Sequence, residues 1–455
     1  MEQEQSKKRK IAVGLDIGTT KVCALVIEEN TDDTYNILSC AVTENRGVHR
    51  GVIVNIEKTV EAIKTVISTA EQQSGIKIKD VVVGLAGDHV EALTDVSTIT
   101  ISNQNNIITK ADVDRVISDL SKSKIAAGRR IIHIVPYEYI VDGQDGIHDP
   151  IGMCGVKLQA NVHIVSGLET ALKNISVCVE EKVGLNIKKI MLEPIASSQA
   201  LLSDEEEEIG VGLIDIGGGT TDLTIFENNV LRYTTVIGIG GNNITEDIRQ
   251  TVLTTAIEAE RIKCTYGHTY LPSLMKDDNF QIGGAGSIKP KDMKKSDLCR
   301  IIQPRMIELF EMCKYEIEEK AGYGGKLGAG IVITGGSALF EGTEELATEI
   351  FNCPVRIGYP LGIKYKGLSD SIENPKYSTV VGLALEALKF NDKCEIEYLD
   401  EKSSNDVDAD ENDGEDYDEE EENSDGKKKK EPKEKKEKRS LKELGKDFYN
   451  MLKKF

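Results

Sequence analysis

The amino-acid sequence predicts an α/β fold made of two related lobes. Three observations carry that expectation. The stretch IAVGLDIGTTKVCALVI (11–27) returns in its logic as GVGLIDIGGGTTDLTIF (210–226): apolar strand, aspartate, Gly- and Thr-rich hairpin, apolar strand. The wide separation of Asp16 and Asp215 is that of a duplicated domain, not of a short solenoid repeat. Around both hairpins, short apolar runs alternate with stretches of helical periodicity, the pattern of sheets covered by helices.

The elements follow in order. Val60, Ile63, Val66, Ile67 and Ala70 recur at helical spacing, so 57–73 is expected to be a helix. VVVGLAG (81–87) reads as a short buried strand, and 88–164 as short strands with one helix at 109–122. A helix over 168–183 leads into the strand IKKIMLE (187–193). The acidic run DEEEE (204–208) is expected to be a solvated loop. After the second hairpin come helical stretches at 244–261 and 297–320, the strand IVITGG (331–336) and a closing helix over 378–390.

Length and charge narrow the function. The chain has 455 residues, 39% of them apolar, enough for two or three domains with real cores. Its net charge of −21 is uneven: 395–426 holds 17 acidic residues against one lysine, and 427–455 holds 13 basic against 5 acidic. What is left for 1–394 is still strongly acidic, which argues against binding nucleic acid through its phosphates. No run of 18 apolar residues exists to span a bilayer, and the N-terminus lacks the small-residue cleavage site of a signal peptide. The nine cysteines include no C-x-x-C pair and no histidine at zinc-site spacing, as expected of free thiols in a reducing compartment.

The two hairpins carry the chemistry. In DIGTT (16–20) and DIGGGTTD (215–222), Gly lets backbone N–H groups approach phosphate oxygens and Thr adds hydroxyl donors. Asp16 and Asp215, each at a strand end, suit Mg²⁺ held through its waters. Two such loops facing one cleft would clamp a triphosphate from both sides; one alone is equally a structural turn. Lys21 follows the first loop and is either a phosphate partner or a surface lysine. Gly335, Gly336 and Ser337 end a strand and either flank a ligand or simply connect elements. Glu260 and Lys263, three apart, share one helix face, which fits ribose and adenine contacts and equally a plain ion pair. Glu193, before a proline, can orient water for attack on a phosphate or complement a helix dipole.

DIGTTK, DIGGGTTD, LEPIASS, ITGGS and STVVGLAL resemble the phosphate, adenosine and connecting motifs of the actin/Hsp70/sugar-kinase superfamily. VVVGLAGDHVEA, the segment from IIHIVPYEYIV to KLQANVHIV, and IIQPRMIELFEM resemble the FtsA family of bacterial actin-like division proteins over about 10–394. The resemblance implies a two-lobed, actin-like (ribonuclease H-like) fold. Its expected parts are subdomain 1A at 1–85 and 165–207, 2A at 208–241 and 328–394, and 2B at 242–327. A small α+β subdomain at 86–164 would replace the usual actin 1B and serve self-association and other division partners.

The resemblance also implies roles. Asp16 and Asp215 would flank Mg²⁺. Gly18, Thr19, Thr20, Lys21, Gly217, Gly218, Gly219, Thr220 and Thr221 would cradle the phosphates of ATP. Glu260, Lys263, Gly335, Gly336 and Ser337 would hold adenosine, and Glu193 would position water. Arg305 and Glu308 would lie where the C-terminal peptide of the tubulin homologue FtsZ is received; on spacing alone they are a surface salt bridge.

The tail adds a membrane expectation. Residues 395–439 are almost purely charged and predicted to be disordered. In 440–455, at helical periodicity, Leu441, Leu444, Phe448, Met451, Leu452 and Phe455 share an arc of about 100°, with lysines outside it. A helix of ~24 Å with that pattern lies in a membrane surface and is too short to cross it; docking in a protein groove is the alternative. The whole reads as an ATP-binding division protein that polymerises on the cytoplasmic face of the membrane, anchors the FtsZ ring and hydrolyses ATP slowly. An Hsp70-type chaperone would need a substrate-binding domain, and a sugar kinase a sugar pocket. A pilus-assembly relative is the nearest alternative, against which the amphipathic tail argues.

Overall fold

The structure is a computed structural model that describes residues 10–30, 34–103, 105–120, 125–283, 290–360, 365–367 and 372–390. The charged segment 395–439 and the tail residues Leu441, Leu444, Phe448, Met451, Leu452 and Phe455 lie outside the described residues.

The first lobe opens with the hairpin β1 (Lys10–Ile17) and β2 (Lys21–Glu29), followed by β3 (Tyr35–Glu44). A two-stranded tip, β4 (Val48–His49) and β5 (Val52–Ile53), precedes α1 (Ile56–Ser74). Asn55 caps α1 by accepting from Lys58 N, and Gly75 ends it in the left-handed region. Next comes β6 (Asp80–Leu85), parallel to β1. The chain then leaves this sheet for β7 (Glu91–Thr100), α2 (Lys110–Leu120), β8 (Arg129–Val141), β9 (Gln144–Ile147) and β10 (Lys157–Leu168), which form a separate sheet in the order β7-β10-β8-β9. These strands are longer than expected: β8 runs 13 residues, through Pro136, which a register shift in its pairing with β10 accommodates. The chain returns through α3 (Glu169–Ser176), with a wide turn at Val177–Val183, into β11 (Asn186–Leu192) and α4 (Glu193–Leu201).

The acidic run is not a loop. It forms α5 (Asp204–Ile209), because Ser203 accepts from Glu206 N while the Glu206 carboxylate accepts from Ser203 N. Four acids in the first turn also complement the helix dipole, and Arg356 grips Glu206 through two bonds of 2.8 Å.

The second lobe repeats the plan: hairpin β12 (Val211–Ile216) and β13 (Thr221–Glu227), then β14 (Val230–Ile237). The helical stretch expected at 244–261 is two helices, α6 (Gly241–Val252) and α7 (Ala256–Tyr266). Leu253, at φ 57°, breaks it, and Thr255 caps the second helix. A hairpin of β15 (Asn279–Ile282) and β16 (Lys291–Lys294) leads into α8 (Lys295–Tyr315). The chain closes with β17 (Gly330–Thr334), α9 (Thr343–Phe351), β18 (Val355–Ile357), β19 (Tyr365–Gly367) and α10 (Ser378–Leu388).

Duplication is plain in the strand orders. The first sheet runs β11-β6-β1-β2-β3-β19 and the second β18-β17-β12-β13-β14. Leaving out β19, the two have the same connectivity and the same parallel and antiparallel pairings. Between them, α4 and α10 share a core with both sheets, including Leu25, Val82, Met191, Ala196, Leu213, Val332 and Leu383. The seam is tight: a Cβ on Gly382 would stand 1.7 Å from the Ala196 carbonyl oxygen. β14 also meets the inserted sheet, where the Arg232 guanidinium lies over the Tyr137 ring at 5.6 Å.

Gly382→Ala should therefore destabilise the protein by about 1–3 kcal/mol or more, read by denaturant unfolding. A loss under about 0.5 kcal/mol, the range of an ordinary surface change, would show that the seam between α4 and α10 is loose.

Candidate functional site

Each hairpin ends its first strand on an aspartate. Asp16, buried near the end of β1, receives Lys21 Nζ at 2.8 Å. Asp215 occupies the equivalent place in β12, where its Oδ2 accepts from Ser197 Oγ of α4 (3.1 Å) and Thr379 Oγ1 of α10 (3.3 Å). The two seam helices thus reach the second aspartate directly.

The loops touch. A Cβ on Gly218 would lie 2.4 Å from Thr20 Cγ2, and one on Gly219 would lie 2.7 Å from Thr19 Oγ1. Only glycine allows that approach between the lobes. Gly217 N closes its own turn on Thr220 O at 2.9 Å. Asn45 braces the first loop by donating from its backbone to Thr20 O (2.9 Å) and from Nδ2 to Gly18 O (2.8 Å). Thr221 turns away, its hydroxyl donating to Ile239 O at 2.8 Å.

The wall beyond the second loop is continuous with it. Gly241 N, at the start of α6, donates to Gly217 O at 2.9 Å. Lys263, buried on α7, donates to Gly241 O (3.1 Å) and Thr245 Oγ1 (2.9 Å) and pairs with Glu260 at 2.7 Å. The Glu260–Lys263 pair is thus an ion pair and part of the crevice wall together. Ser337 Oγ lies 2.7 Å from where a Cβ on Gly241 would be. Gly335, at φ 89°, packs on Asp215 Oδ1, and Gly336 beside it faces open space. By contrast, Arg305 lies outside the crevice. It is held on α8 by Asp247 of α6 at 2.7 and 3.0 Å and pairs with Glu308.

The crevice is strongly acidic. Glu193 is the first residue of α4, and Gly84 of β6 makes room for it: a Cβ there would come 2.9 Å from Glu193 Cγ. Loss of water, then Asp16, Asp222 and Asp215, push the Glu193 carboxyl well above its usual range. Burial and the Asp16 charge raise Asp215 to about 6 against its two hydroxyl donors. Asp222 faces Asp215 across the β12–β13 pair, and burial and that neighbour raise it to about 8. Its Oδ1 has no hydrogen-bond partner among the described residues. Burial works against the Lys21 ammonium, but Asp16 outweighs it and raises the group. Asp16, Glu193 and Asp215 thus act on the Lys21 ammonium and Asp222 on Asp215, with Lys376 the next ammonium beside Lys21; carboxylate exceeds ammonium, an arrangement that suits a further cation.

Among the described residues no three His, Cys, Asp or Glu side chains converge as a direct metal cage. The donor set fits instead a hard cation held through water and phosphate oxygens, with the orphaned Asp222 oxygen as one acceptor. Sequence reasoning included Asp222 in its motif but gave it no role. Strand alternation, which sets 215 and 222 opposite each other, was the available signal. Ser197 and Thr379 lie within LEPIASS and STVVGLAL, motifs in which they were given no role, and Asn45 reaches the site only through tertiary packing.

The comparisons with known proteins bear on this geometry. The family model "Cell division protein FtsA" matches residues 212–382, and "SHS2 domain inserted in FTSA" matches 87–166. The chain is 39% identical to the cell division protein FtsA of Pseudomonas aeruginosa, over 84% of this chain and 90% of that one. It is 39% identical to FtsA of Neisseria meningitidis, over 86% and 92%, and 36% identical to FtsA of Escherichia coli K12, over 82% and 90%. Among solved structures, the PilM-PilN type IV pilus biogenesis complex aligns at a TM-score of 0.61 with 16% identity, covering 83% of this chain and 98% of that one. MreB5 of Spiroplasma citri bound to ADP aligns at 0.50 with 16% identity, covering 84% and 97%. These two show an actin-like α/β fold.

The raised carboxyls set a pH dependence. Against an ordinary value of 3.8, Asp215 at about 6 and Asp222 at about 8 keep their protons longer in the folded state. Their contribution to stability is complete below pH ~4 and lost as pH rises through about 6 and 8. Without ligand, the melting temperature should fall from pH 6 to 8.5, and Asp222→Asn should flatten that fall. Parallel profiles for the two proteins would show that Asp222 ionises normally.

Proposed function

The chain belongs to the FtsA family of cell-division proteins, and on that ground we propose that it is an ATP-binding, actin-like division protein that polymerises on the cytoplasmic face of the membrane and anchors the FtsZ ring there. The observation that carries the nucleotide reading is the contact of two glycine loops from duplicated lobes over a crevice with more carboxylate than ammonium. Mg²⁺·ATP would supply the missing positive charge and a transferable phosphoryl group.

The chain's own residues divide the work. Backbone N–H groups of Gly18, Gly218 and Gly219, with the hydroxyls of Thr19, Thr20 and Thr220, receive phosphate oxygens, while Gly217, its N–H bonded to Thr220 O, closes the turn that presents them. Thr221 shapes its loop through Ile239 O. Lys21 balances charge next to Asp16. Asp16 and Asp215 orient the waters of Mg²⁺, and Ser197 and Thr379 fix the rotamer of Asp215. Glu260 and Lys263 face ribose, and Gly335, Gly336 and Ser337 the base. Glu193 positions the attacking water from the first turn of α4, where burial and the neighbouring aspartates hold its carboxyl well above the usual carboxylate range. Slow turnover fits a protein that uses nucleotide as a conformational clamp.

Two surfaces complete the reading. Arg305 and Glu308, in their network with Asp247, lie on the α6–α8 face that would receive the FtsZ peptide. The insert, 86–164, would serve self-association and other division partners. The six apolar residues of 440–455 would enter an anionic membrane surface; one such helix binds reversibly, and a filament multiplies it by avidity. No helix among the described residues is long and apolar enough to cross a membrane.

Asp215→Asn should abolish ATP retention in equilibrium dialysis, while Glu193→Gln should keep binding and slow phosphate release at least about tenfold. Loss of binding in both would make Glu193 a structural residue. Truncation before residue 440 should abolish co-flotation with anionic vesicles; flotation that survives it would refute the membrane helix.

A further inference from the structure

The short tip between β4 and β5 lies across the mouth of the crevice. Its Gly51 N donates to Thr19 Oγ1 at 3.1 Å, tying it to the first phosphate loop. Arg50, beside it, reaches the other lobe: its Cα stands 3.1 Å from where a Cβ on Gly219 would be. Its guanidinium carbon stands 4.0 Å from where one on Gly238 would be. A single residue of the first lobe thus rests on two glycines of the second.

Two further features mark it. Arg50 has φ 47°, in the left-handed region. The other non-glycine residues with positive φ among those described are asparagines or an aspartate, apart from Leu253. Asparagine and aspartate adopt that region at little cost; an arginine there is strained, and such strain gathers at functional sites. The Arg50 side chain is also exposed, and its guanidinium has no hydrogen bond or ion pair among the described residues. Arg129, Arg232, Arg305 and Arg356 are all engaged by carboxylates. Lys21, at the base of the crevice, is already paired with Asp16.

We propose that Arg50 is a specificity residue that grips the outermost phosphate of a bound nucleoside triphosphate from the crevice mouth. The proposal rests on the nucleotide reading above and goes further, because it assigns the discrimination between tri- and diphosphate to one side chain. A planar fork of N–H donors suits a terminal phosphate. That phosphate brings the charge which the acidic floor most repels, so a free cation at the mouth has its largest effect on it. A diphosphate would leave Arg50 without a partner.

The test measures Mg²⁺·ATP and Mg²⁺·ADP affinity of the full chain by titration calorimetry. Arg50→Ala should weaken ATP about tenfold or more, the effect of losing a charge-assisted hydrogen bond, and leave ADP within about twofold. Arg50→Lys should fall between. Arg50→Gly removes the same side chain and relieves the positive φ. It should therefore melt higher than the wild type without nucleotide, with the same selective loss of ATP, which covers instability of the alanine variant. Equal losses for ATP and ADP, or unchanged ATP affinity, would overturn the assignment. A wild-type chain that binds neither nucleotide would overturn the nucleotide reading itself.

Discussion

The crevice exists because two backbones meet where no Cβ intervenes. Gly218 against Thr20 and Gly219 against Thr19 bring the hairpins of the two lobes into van der Waals contact. Every other part of the site takes its position from that meeting. Asp16 and Asp215 end the strands that feed the loops, and Asp222 begins the strand that leaves the second. The first turn of α6 is tied to Gly217 and Gly218 by main-chain bonds, which place Lys263 and, beyond it, Glu260. Substitution of either loop glycine would push the lobes apart by the width of a methyl group.

The same meeting concentrates charge. Burying Asp16, Glu193, Asp215 and Asp222 close together costs stability, and the raised carboxyls of Glu193, Asp215 and Asp222 express that cost. A fold keeps such an arrangement where a ligand offsets it. Ser197 and Thr379 link this electrostatic centre to the α4–α10 seam, so a change in the charge on Asp215 is felt by both helices that join the lobes.

Much of this was legible in the sequence, for physical reasons. The hairpins announced themselves because Gly, Thr and Asp between apolar runs leave few other structures, and α1 because its apolar residues keep a strict period. The failures have equally definite causes. The run at 204–208 was read by its charge, although Ser203 and Glu206 form a capping box that decides the matter. Leu253, an exposed leucine, carries no sign in its side chain of the positive φ at which its N–H caps α6 on Arg249 O and divides α6 from α7. The segment 88–164 was read as short strands, yet β8 runs 13 residues through Pro136, because the compensating bulge depends on the partner strand. Asn45 and Arg50 reach the crevice from a segment without motif, and local patterns carry no record of such contacts.

The third strand of each hairpin sheet has a neighbour beyond it. β19 pairs along β3, and the inserted sheet meets β14 at the Arg232–Tyr137 stack. Strand addition is the cheapest way for one sheet to recruit another, and unguarded borders invite runaway stacking. Here the two third strands meet different neighbours: β3 takes another strand of its own chain, while β14 meets side chains of the inserted sheet, so the two lobes present unlike borders to a second copy. A joint made on such unlike borders can be tuned residue by residue through its side chains, which a continuous ribbon of main-chain bonds cannot.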